Sequence, residues 1–292
     1  MVLNNQCIYA LNIFIKRSLL LMKKVHKLLA LTMVFVLLLT AFAGCKKEDA
    51  KETTGGTTEA AVAESPVLKK DVIVVGTNAE FPPFEYMLDD GVTPDGFDMA
   101  LIKEIGKKLG KQVKIENMDF DSVLAAIGNK VDIAIAGLTV DEERLLQVDF
   151  SDTYFTAVQS IIVRENDDRI KSADDLKGKK IGVQLGTTGD YIATDDIEGA
   201  TVERYKKAIT AVLDLVNNRV DAVLIDSATA EALSKANKGT KVIKGDFDPE
   251  YYAIAIPKGD KALQDAINTA LAEVKADGTF DKLLKQYVES GE

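Results

Sequence analysis

Two stretches of this chain echo one another, Ile127-Gly-Asn-Lys-Val-Asp-Ile-Ala-Ile-Ala-Gly137 and Val216-Asn-Asn-Arg-Val-Asp-Ala-Val-Leu-Ile-Asp226. Each reads as a helix end, a polar turn, Val-Asp and then a buried apolar run. The pattern predicts two related α/β halves, with Gly137 and Asp226 at equivalent C-terminal strand ends; any helix-turn-strand unit can look similar at this length, so coincidence stays open. Open parallel sheets bind ligands outside such ends, and two of them facing each other would enclose a cleft.

Outward from the echo, short β-branched runs alternate with helical periods. Strands are expected at 72–76, 113–118, 131–136, 180–184 and 220–225, and amphipathic helices at 98–109, 208–217, 227–237, 261–276 and 279–288. Asp121 reads as the N-cap of a helix over 122–128. Strand and helix in alternation mean a parallel sheet covered on both faces.

The chain has 292 residues, enough for two domains, and its 47% hydrophobic and 28% charged content fits a globular protein better than a disordered or multi-span one. Basic residues number 36 against 46 acidic, and five of the basic ones fall within the first 44 residues, where there is no acid. The acidic remainder excludes a nucleic-acid binder, which needs a basic face. His26, Cys7 and Cys45 are the only histidine and cysteines, and there is no tryptophan. Beyond residue 45, Ser-His-Asp and Cys-His catalysis, His/Cys metal sites and internal disulfides are therefore excluded.

From Met22 the sequence MKKVHKLLALTMVFVLLLTAFAGC has a basic start, an apolar run and small residues before Cys45. That is the form of a secretory signal over residues 1–44, with Met22 the expected start; a transmembrane helix is the alternative, because 28–44 approaches spanning length. Ala43-Gly44-Cys45 resembles a bacterial lipobox, which implies acylation of Cys45, with Phe42 departing from the usual Leu. Residues 45–70, rich in Thr, Glu, Ala and Gly, read as a flexible tether with a reach of roughly 25 Å.

Six motifs lie in order along the remainder: Thr77-Asn-Ala-Glu-Phe-Pro-Pro-Phe-Glu85, Gly96-Phe-Asp98, Asn117-Met-Asp-Phe-Asp121, Ala136-Gly-Leu-Thr-Val-Asp-Glu-Glu-Arg144, Val148-Asp-Phe-Ser-Asp152 and Gly182-Val-Gln-Leu-Gly-Thr-Thr-Gly189. Together they resemble family 3 of the bacterial extracellular solute-binding proteins, the polar amino-acid receptors of ABC importers. The resemblance implies an α/β, two-lobed periplasmic-binding-protein-like fold (type II), with two parallel-rich sheets joined by a two-segment hinge. One lobe would comprise 71–156 and 253–292, the other 157–252.

A free amino acid presents a carboxylate, an ammonium and a side chain, and burying that zwitterion without partners would cost several kcal/mol per charge. The resemblance assigns Arg144 to the carboxylate, a job that suits a planar guanidinium; pairing with Asp141 as a solvated helix arginine is the plainer alternative. Thr139, with Glu142 three places on, has the form of a capping box, which would supply free N–H groups for the same carboxylate. Asp226 would hold the ammonium, or merely cap the helix at Ser227, and Gly137 would add a backbone carbonyl. Thr187 and Thr188 resemble the second lobe's share of the carboxylate site. A phosphate loop is the rival reading there, but no Lys follows the glycines. Phe81 and Phe120 would flank the ligand side chain unless they are simply core. Asn78 stands where some members carry an aspartate, with Glu80 and Glu85 as replacement acids, and Gln184 reaches the same pocket.

The expected protein is an extracytoplasmic, lipid-anchored monomer that binds a polar amino acid or a cystine-like ligand and serves an ABC permease, with no cofactor or metal. Two other classes stand beside it. The same fold hosts cyclohexadienyl-dehydratase-like enzymes, for which Glu80 could be a general acid. A sensory module acting through a separate partner is the other.

Overall fold

The computed structural model of the chain describes residues 64–289. The expected signal segment, Cys45 and most of the tether lie outside them. The first part of the described chain runs β1 (Val72–Thr77), a small antiparallel sheet of β2 (Glu80–Phe81), β3 (Glu85–Met87) and β4 (Pro94–Asp95), then α1 (Phe97–Lys108), β5 (Gln112–Asn117), α2 (Phe120–Ala126), β6 (Ile133–Ala134), α3 (Glu142–Gln147) and β7 (Val148–Phe150). After β8 (Phe155–Ala157) come β9 (Gln159–Arg164), β10 (Lys180–Gln184), α4 (Thr188–Tyr191), β11 (Thr201–Tyr205), α5 (Ala208–Val216), β12 (Ala222–Asp226), α6 (Ser227–Ala236) and β13 (Thr240–Lys244). The chain closes with β14 (Glu250–Tyr252), β15 (Ala255–Pro257), α7 (Lys261–Ala276) and α8 (Thr279–Tyr287).

Two five-stranded sheets result, ordered β5-β1-β6-β15-β7 and β11-β10-β12-β9-β13. They match position by position, so β6 and β12, the strands of the echo, are each the central strand. The Val-Asp step has one job in both. Asp132 accepts from the Val74 N–H at 2.9 Å and Asp221 from the Lys180 N–H at 3.0 Å, each tying its strand to the neighbouring parallel one. Neither sheet is wholly parallel: β15 runs antiparallel to β6 and β7, and β9 to β12 and β13. The reason is connectivity. Those two strands continue from β14 and β8, a two-stranded ribbon in which Glu250 pairs with Ala157 and Tyr252 with Phe155, so they enter their sheets from the ribbon rather than from a crossover helix.

Apolar spacing explains the helices that cover the sheets. In α7, Leu263, Ile267, Ala270, Leu271 and Val274 repeat at helical period and are buried, while the Asp260 side chain accepts from the Leu263 N–H at 3.1 Å to start the helix. Leu101, Ile102 and Ile105 of α1 join Ile73 and Val75 of β1 in the same core. Each such buried side chain stabilises by roughly 1.5–3 kcal/mol. The end of the expected tether also belongs to the body: Val67 is in that core, and the Ser65 hydroxyl donates to Asp260 Oδ2 at 2.6 Å. Among the described residues, no helix is long and apolar enough to cross a membrane.

Two helix starts differ from expectation. α2 begins at Phe120, with Asp119 rather than Asp121 in the capping position. α3 is opened by Asp141, whose carboxylate accepts from the Arg144 N–H at 2.8 Å, and not by Thr139. Thr139 lies two residues before that capping position, and its hydroxyl donates to Glu250.

Candidate functional site

The C-terminal ends of the equivalent strands face one another. Asn78, just past β1, accepts from Gln184 Nε2, at the end of β10, at 2.8 Å, and donates through Nδ2 to the Met118 carbonyl. Gln184 also donates to the Lys206 carbonyl at 3.2 Å. At the rim, Glu80 pairs with Lys207 at 2.5 Å and Asp119 with Lys206. Glu80 is therefore engaged across the cleft by a lysine.

Arg144 is 4% exposed, so it is not a solvated helix residue, although it does pair with Asp141 at 3.1 Å. Its Nη1 donates to the Thr139 carbonyl at 2.9 Å and its Nη2 to the Gly186 carbonyl, on the second sheet's side, at 3.1 Å. The Phe120 ring lies under the guanidinium, with the centroid 5.6 Å from Cζ. Each Nη retains one further N–H, so the guanidinium still has donors for a carboxylate. Gly186 has φ +79°, a conformation that turns its carbonyl toward Arg144 at no steric cost. Of the two neighbouring threonines, Thr187 caps α4 and donates to the Gln184 carbonyl at 2.8 Å, whereas Thr188 points to Glu250.

Asp226 ends β12 and is 5% exposed; it occupies the capping position of α6, yet its side chain makes no capping bond. Its register partner across β9 is Gln159. Asp226 Oδ1, Gln159 Oε1 and the Tyr252 hydroxyl are buried without a well-formed hydrogen bond, although Tyr252 and Gln159 lie close enough to Asp226 to favour its ionised form. Beside them, Glu250 gathers three donors: the hydroxyls of Thr139 and Thr188, each 2.7 Å from Oε2, and Gln159 Nε2, 3.0 Å from Oε1. Burial, reinforced by the negative charge of Glu250, pushes the Asp226 carboxyl up to about 7. The contacts thus run without a break from Arg144 through Thr139 and Glu250 to Gln159 and Asp226.

Gly137, at φ +53°, lies against the Phe81 ring, and its N–H donates to Asp98 Oδ2 at 2.9 Å. The Tyr154 hydroxyl donates to the same oxygen at 2.7 Å. Glu85 lies fully buried behind this turn beside Asp98, so it serves the interior rather than the rim. Burial, and next the charge of Asp98, raises the Glu85 carboxyl well above the ordinary range, and burial lifts Asp98 to about 6. Glu85 Oε1 and Oε2 and Asp98 Oδ1 find no donor elsewhere in the protein, so the adjacent buried carboxyls favour holding a proton.

Glu250, Gln159 and Tyr252 were absent from the sequence-derived set. The available signal was the acidic stretch Asp248-Pro-Glu-Tyr-Tyr252, at the C-terminal end of the expected second lobe 157–252.

Residues 73–290 match the family model described as bacterial extracellular solute-binding proteins, family 3. The chain is 33% identical over 224 residues to the L-cystine-binding protein TcyJ of Escherichia coli K12, covering 76% of this chain and 84% of that protein. Among solved structures, an ancestral arginine-binding protein bound to arginine superposes with a TM-score of 0.70 at 44% identity, covering 75% of this chain and 98% of the other. The ancestral amino acid-binding protein AncCDT-1, a precursor of cyclohexadienyl dehydratase, gives 0.71 at 36%, covering 76% and 97%. Two matched sheets, a double crossover and polar strand ends define a two-lobed solute-binding protein. This chain belongs to the bacterial extracellular solute-binding proteins of family 3.

Proposed function

We propose that the chain is an extracytoplasmic receptor for a free amino acid, closing two lobes on it and presenting it to an ABC importer. The observation that carries this reading is a buried cation, Arg144 on α3, and a buried acid, Asp226 at the end of β12, joined through one contact network. A zwitterion is the ligand whose two charges such a network neutralises, the carboxylate at Arg144 and the ammonium at Asp226. Asn78, Gln184, Phe81 and Phe120 would then select among side chains, and Gly137 would offer its carbonyl to the ammonium.

The lobes in this reading are 71–156 with 253–292, and 157–252, hinged at β8 and β14. Relatives named for cystine and arginine binding support an amino-acid ligand with a polar side chain. The Ala43-Gly44-Cys45 motif supports secretion and anchoring through Cys45, and a monomer suffices because both halves of the site come from one chain.

A thermal-shift screen of the twenty amino acids plus cystine and ornithine tests the reading. One or a few should raise the melting temperature, and recovery of the ligand unchanged separates a receptor from a dehydratase. No shift with any of them would overturn the reading.

A further inference from the structure

Thr139 follows β6 of one sheet and Thr188 follows β10 of the other, and each has a single hydroxyl proton. Both protons are already committed, because both hydroxyls donate to the same oxygen, Glu250 Oε2, at 2.7 Å. A hydroxyl whose proton is held by a carboxylate presents only lone pairs to its other neighbours. Thr188 accepts one bond from Gln159 Nε2 at 3.2 Å, and the Thr139 oxygen accepts from none of the described groups. The same carboxylate is fixed by Gln159 Nε2 at Oε1, so it has little freedom to release the hydroxyls. Around it, Asp226 Oδ1 and Gln159 Oε1 are further buried acceptors.

We propose that Glu250 is a positioning residue that sets the polarity of the site: by holding the threonine protons, it makes Thr139, with Asp226, an acceptor for the ligand's ammonium. Carboxylate recognition is then left to the Arg144 guanidinium and backbone N–H groups rather than to the threonine hydroxyls. The proposal rests on the amino-acid reading of the cleft and adds to it the residue that distinguishes an ammonium from an uncharged substituent at the same carbon.

The test is calorimetric, with the amino acid that gives the largest melting shift and the α-hydroxy acid of the same side chain as the two probes. Glu250→Leu leaves the threonine protons without an acceptor and should lower the affinity ratio of amino acid to hydroxy acid by about tenfold or more. Glu250→Gln keeps a carbonyl that can accept both hydroxyls and should restore most of the ratio. If Gln behaves like Leu, the residue acts through its charge and the proton-holding role is wrong. Equal losses for both probes in the Leu variant mean a merely structural role and also overturn it. Should the Leu variant fail to fold, Thr139→Val serves instead: it should lower the ratio to a similar degree, and an unchanged ratio overturns the proposal. Failure of the unmutated chain to bind any amino acid would defeat the amino-acid reading and this proposal with it, whereas binding with an unaltered ratio in the variants defeats only the role of Glu250.

Discussion

Gln184 donates to Asn78 at 2.8 Å across the two sheets, joining the C-terminal ends of β10 and β1, which hold the same place in their respective sheets. The bond links the lobes at the point where the ligand side chain is expected. Asn78→Ala and Gln184→Ala should therefore reorder preference among amino acids while costing the best ligand only about tenfold or less, the net worth of one buried hydrogen bond. Titration against a panel of amino acids checks it, and a uniform thousandfold loss would contradict it.

The rim pairs Lys207–Glu80 and Lys206–Asp119 span the same gap and are partly or largely exposed. Interactions of that kind are screened by salt. Raising ionic strength should weaken ligand affinity a few-fold in the unmutated chain. The doubly substituted Lys206→Ala, Lys207→Ala protein should lose most of that salt dependence, and an equal dependence in both would remove the pairs from closure.

Protonation gives a signed prediction. Asp226 is raised to about 7 and Asp98 to about 6, both chiefly by burial, with Glu85 raised as well. Native protein then binds more protons than unfolded chain between about pH 4 and pH 7, so stability contributed by these groups is lost as pH rises through that window. Asp167, held low by Arg169, acts the other way, but its contribution is lost only as pH falls below the ordinary carboxylate range. The ligand-free melting temperature should be higher at pH 5 than at pH 8. An ammonium needs the ionised Asp226, so the ligand-induced rise should be smaller at pH 5. Thermal scans at the two values check both signs.

Phe84 anchors the aromatic cluster beneath the site, with ring centroids 4.8 Å from Phe155 and 5.2 Å from Tyr252 on the two ribbon strands. Phe84→Ala should destabilise by about 3–5 kcal/mol in denaturant titrations. A cost under about 1 kcal/mol would mean that the ribbon is held mainly by its backbone.

The α/β fold was legible because its signals are local: the Val-Asp echo marks the central strand of each sheet, and 180–184 and 261–276 are read to the residue. The antiparallel entry of β9 and β15 was not, since it depends on a ribbon between segments about ninety residues apart in the sequence. The strand-end residues Asn78, Gly137, Gln184 and Asp226 announce themselves by position. Glu250 does not, because its partners Thr139, Thr188 and Gln159 lie far away along the chain, and Thr139 mimics a capping residue until its hydroxyl is seen to point elsewhere.

The division of labour between Arg144 and Asp226 is tested most directly by calorimetric titration of Arg144→Ala and Asp226→Ala, each confirmed to be folded, with the amino acid that binds the unmutated chain best. Truncating one partner of a buried, hydrogen-bonded charge pair costs about 2–5 kcal/mol, so each variant should bind roughly 30-fold to several thousandfold more weakly. A loss below about tenfold at either position would contradict the account and remove that residue from the site.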